Sequence, residues 1–277
     1  MDQLVSRQHD QDQQAILDWL TPTNYSAQQS DFLSRRQEGT GQWLLDSAEF
    51  QNWSNTDGDT LFCEGIPGAG KTIMVSIIID YLHDKHRNDG NVGIAYLYCN
   101  YRRHDEQKPV DLLASLLKQL LSELPDIPMS MRTLYEHHSM GKKKRPSLDE
   151  ISKELHSVVA AYSKCFIVID ALDECQASDG GRSEFLAKLL ELQKVGANLF
   201  ATSRSIPEVK KVFERKGVLM EIQASEEDVR RYLDSHMRRL PSFVLRSLDL
   251  QEEIKTEIVK AVKGMYVFHS LIIVETN

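Results

Sequence analysis

The chain has 277 residues, with 41 acidic against 33 basic side chains and a formal net charge of −8, and a chain of this length buries about three quarters of its surface in one large domain with appendages or in two small ones. The acidic balance argues against a general nucleic-acid surface and against an anionic membrane, so neither is expected as a partner. No charged start leads into an apolar core and no apolar stretch reaches about 18 residues, so a soluble, cytoplasmic protein is expected.

In chain order, Ala15, Ile16, Trp19 and Leu20 fall at helical spacing before Thr21-Pro22, which predicts a first helix with one apolar face. Asn24 to Gln37 is mostly polar and reads as a connector. Past Gly39-Thr40-Gly41, the apolar Trp43-Leu44-Leu45 is followed by Phe50 and Trp53 at helical spacing. These aromatics either fill a core or close over the base of a nucleotide.

Thr60-Leu61-Phe62-Cys63 is a short apolar run after the turn-like Thr56-Asp57-Gly58-Asp59, and it predicts a strand. It leads into Gly65-Ile66-Pro67-Gly68-Ala69-Gly70-Lys71-Thr72, which matches the phosphate-binding pattern G-x-x-x-x-G-K-[ST]. Wrapping a polyphosphate requires backbone N–H groups converging on one point, where a Cβ at Gly68 or Gly70 would intrude. Pro67 stiffens the start of the loop. Lys71 supplies charge for the β- and γ-phosphates, and the Thr72 hydroxyl is placed to hold Mg²⁺. The candidate nucleotide-contacting residues are Gly65, Pro67, Gly68, Ala69, Gly70, Lys71, Thr72 and Ile73. From Ile73 to Leu82 the chain is apolar nearly all round, as in a helix buried against a sheet, although its β-branched content also suits a strand.

Val92, Ile94, Tyr96 and Tyr98 alternate within a second strand, from Asn91 to Asn100. Arg102 and Arg103 after it are either solvated or reach a phosphate of a neighbouring subunit. Pro109 opens a helix whose Leu112, Leu113, Leu116, Leu117, Leu120 and Leu121 form one face, to serve as core or as a docking surface. Pro125 to Pro146 reads as a solvated loop, with Gly141-Lys142-Lys143-Lys144-Arg145 as an alternative import patch and with His137 and His138 placed poorly as joint ligands.

Ser147 and Glu150 make a capping box for a helix with Ile151, Leu155, Val158 and Tyr162 on its face. Phe166-Ile167-Val168-Ile169 is an uninterrupted apolar run, as a central parallel strand requires, and it ends on Asp170. Ligands of open α/β sheets bind at the carboxyl ends of strands, so Asp170 belongs in the Mg²⁺ shell beside Thr72, or caps a helix. Asp173 and Glu174 follow within the same turn, which gives three carboxylates near one cation, and one of the latter pair can polarise an attacking water. A helix from Ser183 to Leu192 leads to a strand from Asn198 to Thr202, after which Arg204 either senses the γ-phosphate or pairs with a nearby carboxylate. Val218 to Ile222 is a fifth strand, Ser225 and Asp228 cap a helix, and a last amphipathic helix covers Glu252 to Lys263. Cys63, Cys99, Cys165 and Cys175 lack paired C-x-x-C spacing and are expected as buried thiols of a reducing compartment, not a zinc site.

Together, Gly65 to Thr72, Phe166-Ile167-Val168-Ile169-Asp170-Ala171-Leu172-Asp173-Glu174-Cys175 and Ala201-Thr202-Ser203-Arg204 resemble the NACHT family of signal-transducing P-loop ATPases. Gly39 to Leu45 with Phe50 and Trp53 is similar to fungal NOD-like receptors that carry a nephrocystin-type N-terminal NACHT module. The resemblance implies an α/β fold with a five-stranded parallel sheet flanked by helices, the strands of Asp170 and Arg204 being neighbours. It also implies Mg²⁺ with ATP, or GTP, slow hydrolysis, and nucleotide-governed self-association. The expected divisions are a helical segment over 1–55, a nucleotide-binding core over 56–224 and a helical segment over 225–277. Family members continue past the segment resembled by Gly264-Met265-Tyr266-Val267 into a winged helix and a repeat array, so a truncated product is expected. Two other functions compete: a non-hydrolysing scaffold that presents the Leu112 to Leu121 stripe to a protein partner, and, less well matched, a small-molecule kinase.

Overall fold

The computed structural model describes residues 2–139, 144–175, 180–214, 217–223 and 225–262. Strands β1 (Thr60–Glu64), β2 (Val92–Tyr98), β3 (Lys164–Asp170), β4 (Ala197–Ser203) and β5 (Val218–Glu221) form a five-stranded sheet in the order β2-β3-β4-β1-β5. Every pairing is parallel, and the register sets Leu61 beside Phe200, Ile167 beside Leu199 and Tyr98 beside Asp170. In β3 and β4 nearly every residue is buried, because a parallel sheet carries helices on both faces. β5 lies at an edge and keeps its two end residues exposed.

Before the sheet come α1 (Asp2–Leu20), α2 (Ser26–Ser34), α3 (Gln42–Leu45) and α4 (Ala48–Asn55). Between the strands run α5 (Lys71–Lys85), α6 (Pro109–Ser122), α7 (Met129–Ser139), α8 (Leu148–Ala161), α9 (Gly181–Lys194) and α10 (Pro207–Phe213). After β5 come α11 (Glu226–His236), α12 (Ser242–Leu245) and α13 (Leu248–Val262). The β-branched run after the phosphate loop is helix, not strand: α5 buries Val75, Ile77, Ile78 and Ile79 under the sheet, and that burial outweighs weak intrinsic propensity.

Several expectations change in the structure. The leucines of α6 are at most 1% exposed, packed against β2 and α8, so the stripe is core and offers no docking surface. Phe50 and Trp53 are likewise core, not a cover for a base. Trp53 lies 5.4 Å from Phe166 and 5.7 Å from Phe200, and Asn198, near the start of β4, donates to its carbonyl at 2.6 Å. That places α4 toward the strand starts, away from the phosphate loop.

The supposed connector contains α2. Its apolar content is too low to show a periodic face, and it is held instead by polar contacts: Gln29 Nε2 donates to the Ser76 carbonyl at 3.0 Å, and Tyr98 Oη donates to Gln29 Oε1. The supposed loop from Pro125 to Pro146 contains α7, whose His138 lies 3.0 Å from Glu150. Residues 141–143 of the basic run lie outside the described residues. Arg145 is committed to Asp111 at 2.7 Å and the Leu20 carbonyl at 2.9 Å, which does not suit an import signal. Arg102 is exposed and stacks over Tyr101, while Arg103 pairs with Glu106.

The caps at Ser147 and Ser225 form as their spacing dictates. The last helix starts earlier than expected, at Leu248. Val229, Leu233 and Met237 make a small second core with Ile254, Ile258 and Val259. All four cysteines are buried and none is in a disulfide. No helix among the described residues is long and apolar enough to cross a membrane.

Candidate functional site

The ends of β1, β3 and β4 build the site. Gly65 follows β1 and is threaded between its neighbours: its N–H donates to the Ser203 carbonyl at 3.2 Å, and Ile222 N–H donates to the Glu64 carbonyl at 2.7 Å. A Cβ on Gly65 would stand 2.7 Å from the Ile222 carbonyl oxygen, so only glycine fits. Gly68 (φ 80°) and Gly70 (φ 86°) occupy the left-handed region that turns backbone N–H groups inward. Ala69 is buried, and Ile66 and Pro67 are exposed. Gly70 also caps α5, whose first turn faces the loop.

Lys71 Nζ donates to the carbonyls of Gly65 at 2.7 Å and Ile66 at 3.0 Å. Burial lowers its pKa, opposed by the nearby charges of Asp173 and Asp170. The ammonium therefore rests on the loop it would share with a phosphate.

Thr72 and Asp170 meet directly, with Thr72 Oγ1 donating to Asp170 Oδ2 at 2.6 Å. The other carboxylate oxygen accepts from Thr202 Oγ1, also at 2.6 Å. Thr202 in turn accepts from Ala171 N–H at 2.9 Å, which fixes the turn after β3. Ala171 has φ 54° and is the single non-glycine residue at positive φ among the described residues. Such a conformation costs about 1–2 kcal/mol and persists where surroundings impose it. Burial raises the Asp170 pKa, against the bonds from Thr202 and Thr72 and the charge of Lys71.

The turn delivers Asp173 and Glu174 to Arg204. Arg204 N–H donates to Asp173 Oδ1 at 3.0 Å, its Nε lies 3.0 Å from Oδ2, and Nη2 lies 3.3 Å from Glu174 Oε1. Glu174 also accepts from Tyr101 N–H at 3.3 Å. Of the two expectations for Arg204, the carboxylate pairing is the arrangement seen, and its partners are the two acids expected to polarise water.

A cavity of about 550 Å³ opens here, within the range of ligand pockets. Gly68, Gly70, Thr72, Ile73, Asp170 and Glu174 form one part of its wall; Gln28, Phe32, Tyr98, Asn100 and Tyr232 form another. Gly65, Pro67, Ala69, Lys71, Asp173 and Arg204 are not part of that wall. A larger open groove of about 610 Å³ between Thr21 and Arg145 contains none of the phosphate-loop residues. Sequence reasoning missed Thr202, the α2 residues and Tyr232. A hydroxyl at the end of a strand neighbouring Asp170 was the available signal for Thr202, but nothing local marks the others.

The donor set suits a hard cation. Thr72 Oγ1 and Asp170 Oδ2 are oxygens side by side on the cavity wall, and no cluster of three or more His, Cys, Asp or Glu exists among the described residues. Mg²⁺ bound through one or two protein oxygens, with phosphates and waters completing its shell, needs no more.

Residues 39–204, more than half of the chain, match the family model described as nephrocystin 3, N-terminal. The chain belongs to the nephrocystin 3 N-terminal family. It is 27% identical over 154 residues to the vegetative incompatibility protein HET-E-1 of Podospora anserina, covering 54% of this chain and 11% of that protein. A shorter match, 34% identical over 77 residues, links this family member to the ORC1-type DNA replication protein 1 of Sulfurisphaera tokodaii, covering 28% of this chain and 18% of that protein. The chain thus spans a small part of both relatives. Among solved structures it resembles the Aeropyrum pernix ORC1 protein in complex with DNA, with TM-score 0.46, 14% identity and coverage of 89% and 64% of the two chains. It also resembles the Aeropyrum pernix ORC2 protein in its ADPNP-ADP complexes, with TM-score 0.46, 12% identity and coverage of 72% and 51%.

Proposed function

We propose that this chain is a Mg²⁺-dependent nucleotide switch that binds ATP in preference to GTP, hydrolyses it slowly and couples the bound state to self-association in cytoplasmic signalling. One observation carries the reading: Thr72 and Asp170, 98 residues apart in sequence, touch at 2.6 Å on the wall of a cavity that also exposes Gly68 and Gly70. The nucleotide-binding core is assigned to residues 56–224, with helices on either side of it over 2–55 and 225–262. The preference for ATP and the signalling role rest on the family resemblance. The net charge of −8 supports a protein rather than a nucleic-acid partner.

Each residue has a task in this reading. The N–H groups of Gly68 to Thr72 orient the polyphosphate, and Lys71 exchanges its loop carbonyls for β- and γ-phosphate oxygens. Thr72 and Asp170 hold Mg²⁺, which when bound neutralises phosphate charge. Arg204 transfers from Glu174 to the γ-phosphate, and Glu174 is then available to orient water.

The pairing of Arg204 with both Asp173 and Glu174 favours a second reading, in which nucleotide is held without turnover. Phosphate release measured with and without Mg²⁺ separates the two. The nucleotide that copurifies with the protein identifies the base. Lys71→Ala is expected to weaken ATP binding about ten- to a hundredfold, through loss of a charge-assisted contact. Unchanged affinity in that variant contradicts the assignment.

A further inference from the structure

One residue of the cavity wall carries an unsatisfied group. Gln28 Oε1, on α2, is buried and has no hydrogen-bond partner among the described residues, and Gln28 lines the same cavity as Gly68, Gly70 and Thr72. Buried amide oxygens are almost always paired, because leaving one unpaired forfeits its hydration without return.

The rest of α2 shows why Gln28 does not simply turn to solvent. Gln29 anchors the helix to α5 through the Ser76 carbonyl at 3.0 Å and also accepts from Tyr98 Oη. Phe32, one turn beyond Gln28 and on the same face, rests 4.8 Å from Tyr98 and also lines the cavity. Phe32, Tyr98 and Tyr232 give this part of the wall three aromatic rings, beside the polar Gln28 and Asn100 and the charged Arg35. Such a surface suits the planar, apolar faces of a nucleoside.

We infer that α2 forms the nucleoside subsite, in which Gln28 Oε1 accepts a hydrogen bond from a nucleoside donor and Phe32 supplies a ring face. The donor is the exocyclic amine of the purine or the ribose 2′-hydroxyl. This rests on the proposal that the phosphates occupy the loop from Gly65 to Thr72.

The test compares ATP, inosine triphosphate, 2′-deoxy-ATP and inorganic tripolyphosphate by calorimetry on the full chain, as wild type and as Gln28→Met. Methionine is unbranched, close in length and a good helix former, so α2 is preserved. Gln28→Met is expected to bind ATP about 3- to 10-fold more weakly, the range for one neutral hydrogen bond, and tripolyphosphate equally well. If the amine is the donor, the substitution has no effect on inosine triphosphate binding; if the hydroxyl is, it has none on 2′-deoxy-ATP. Equal ATP affinity in the two proteins overturns the inference, as does an equal loss for tripolyphosphate, or a full loss retained with both analogues. A wild-type protein that binds neither ATP nor tripolyphosphate removes the nucleotide reading itself.

Discussion

Arg204 grips Asp173 at two points, through its backbone N–H and through Nε, both at 3.0 Å. The same guanidinium reaches Glu174 at 3.3 Å. A bound γ-phosphate would compete with Glu174 for it, so ATP and ADP should differ in what they do to this turn. Arg204→Ala is expected to erase about tenfold of any preference for ATP over ADP, the worth of one charge-assisted contact. Paired titrations with the two nucleotides check this, and an unchanged ratio makes Arg204 a tether for Asp173 alone.

Glu174 and Asp173 divide the remaining work. Asp173 is 5% exposed and tied to the Arg204 backbone, whereas Glu174 lines the cavity. Glu174→Gln should keep nucleotide affinity and slow phosphate release by about a hundredfold or more, as loss of a positioned base does. Equal turnover would move the role to Asp173 or remove it from both.

Gly65→Ala places a methyl 2.7 Å from the Ile222 carbonyl, against backbone that has no soft end to yield. The β1 and β5 ends must separate, at a cost of about 1–3 kcal/mol. Urea denaturation should show this loss together with weakened nucleotide binding. A variant as stable as the wild type would mean that the loop relaxes elsewhere.

Acid should loosen the start of α8 through one residue. Glu150 accepts from Ser147 N–H at 2.7 Å and from Ser147 Oγ at 2.8 Å, and contacts His138. The Ser147 backbone bond is the main cause of a pKa lowered from 4.5 to about 2, with His138 adding to it. A depressed carboxylate stabilises the fold above its unfolded pKa and loses that contribution as pH falls, here from about 4.5 to about 2. Glu150→Gln, which removes the ionisable group while keeping an acceptor for the Ser147 N–H, should flatten the stability profile over that window. An identical profile would place the acid sensitivity elsewhere.

What the sequence made legible was what local pattern encodes. The run from Phe166 to Asp170 could only be a strand buried on both faces, and Gly65 to Thr72 specified its own backbone. The caps at Ser147 and Ser225 each needed only a pair of residues three positions apart. Phe50 and Trp53 carried no such signal, since aromatics at helical spacing look alike whether they meet a base or Phe166. The place of α2 on the cavity wall was hidden because Gln29 holds the helix there through polar contacts with Ser76 and Tyr98, far along the chain. The leucines of α6 show the converse: an apolar stripe cannot announce whether its partner is β2 or another protein.

Mg²⁺ dependence of nucleotide affinity, compared between wild type and Asp170→Asn, tests the central claim most directly. Burial has raised the Asp170 pKa, so the Mg²⁺ effect in wild type should fade on acidification before that of an exposed carboxylate would. At neutral pH, wild type is expected to bind ATP at least about tenfold more tightly with Mg²⁺ than without, as loss of a charged ligand contact implies. Asp170→Asn should bind equally under both conditions, at the level of Mg²⁺-free wild type. Full Mg²⁺ enhancement in Asp170→Asn would contradict the account, because the metal would then be held by something other than the Thr72 and Asp170 pair.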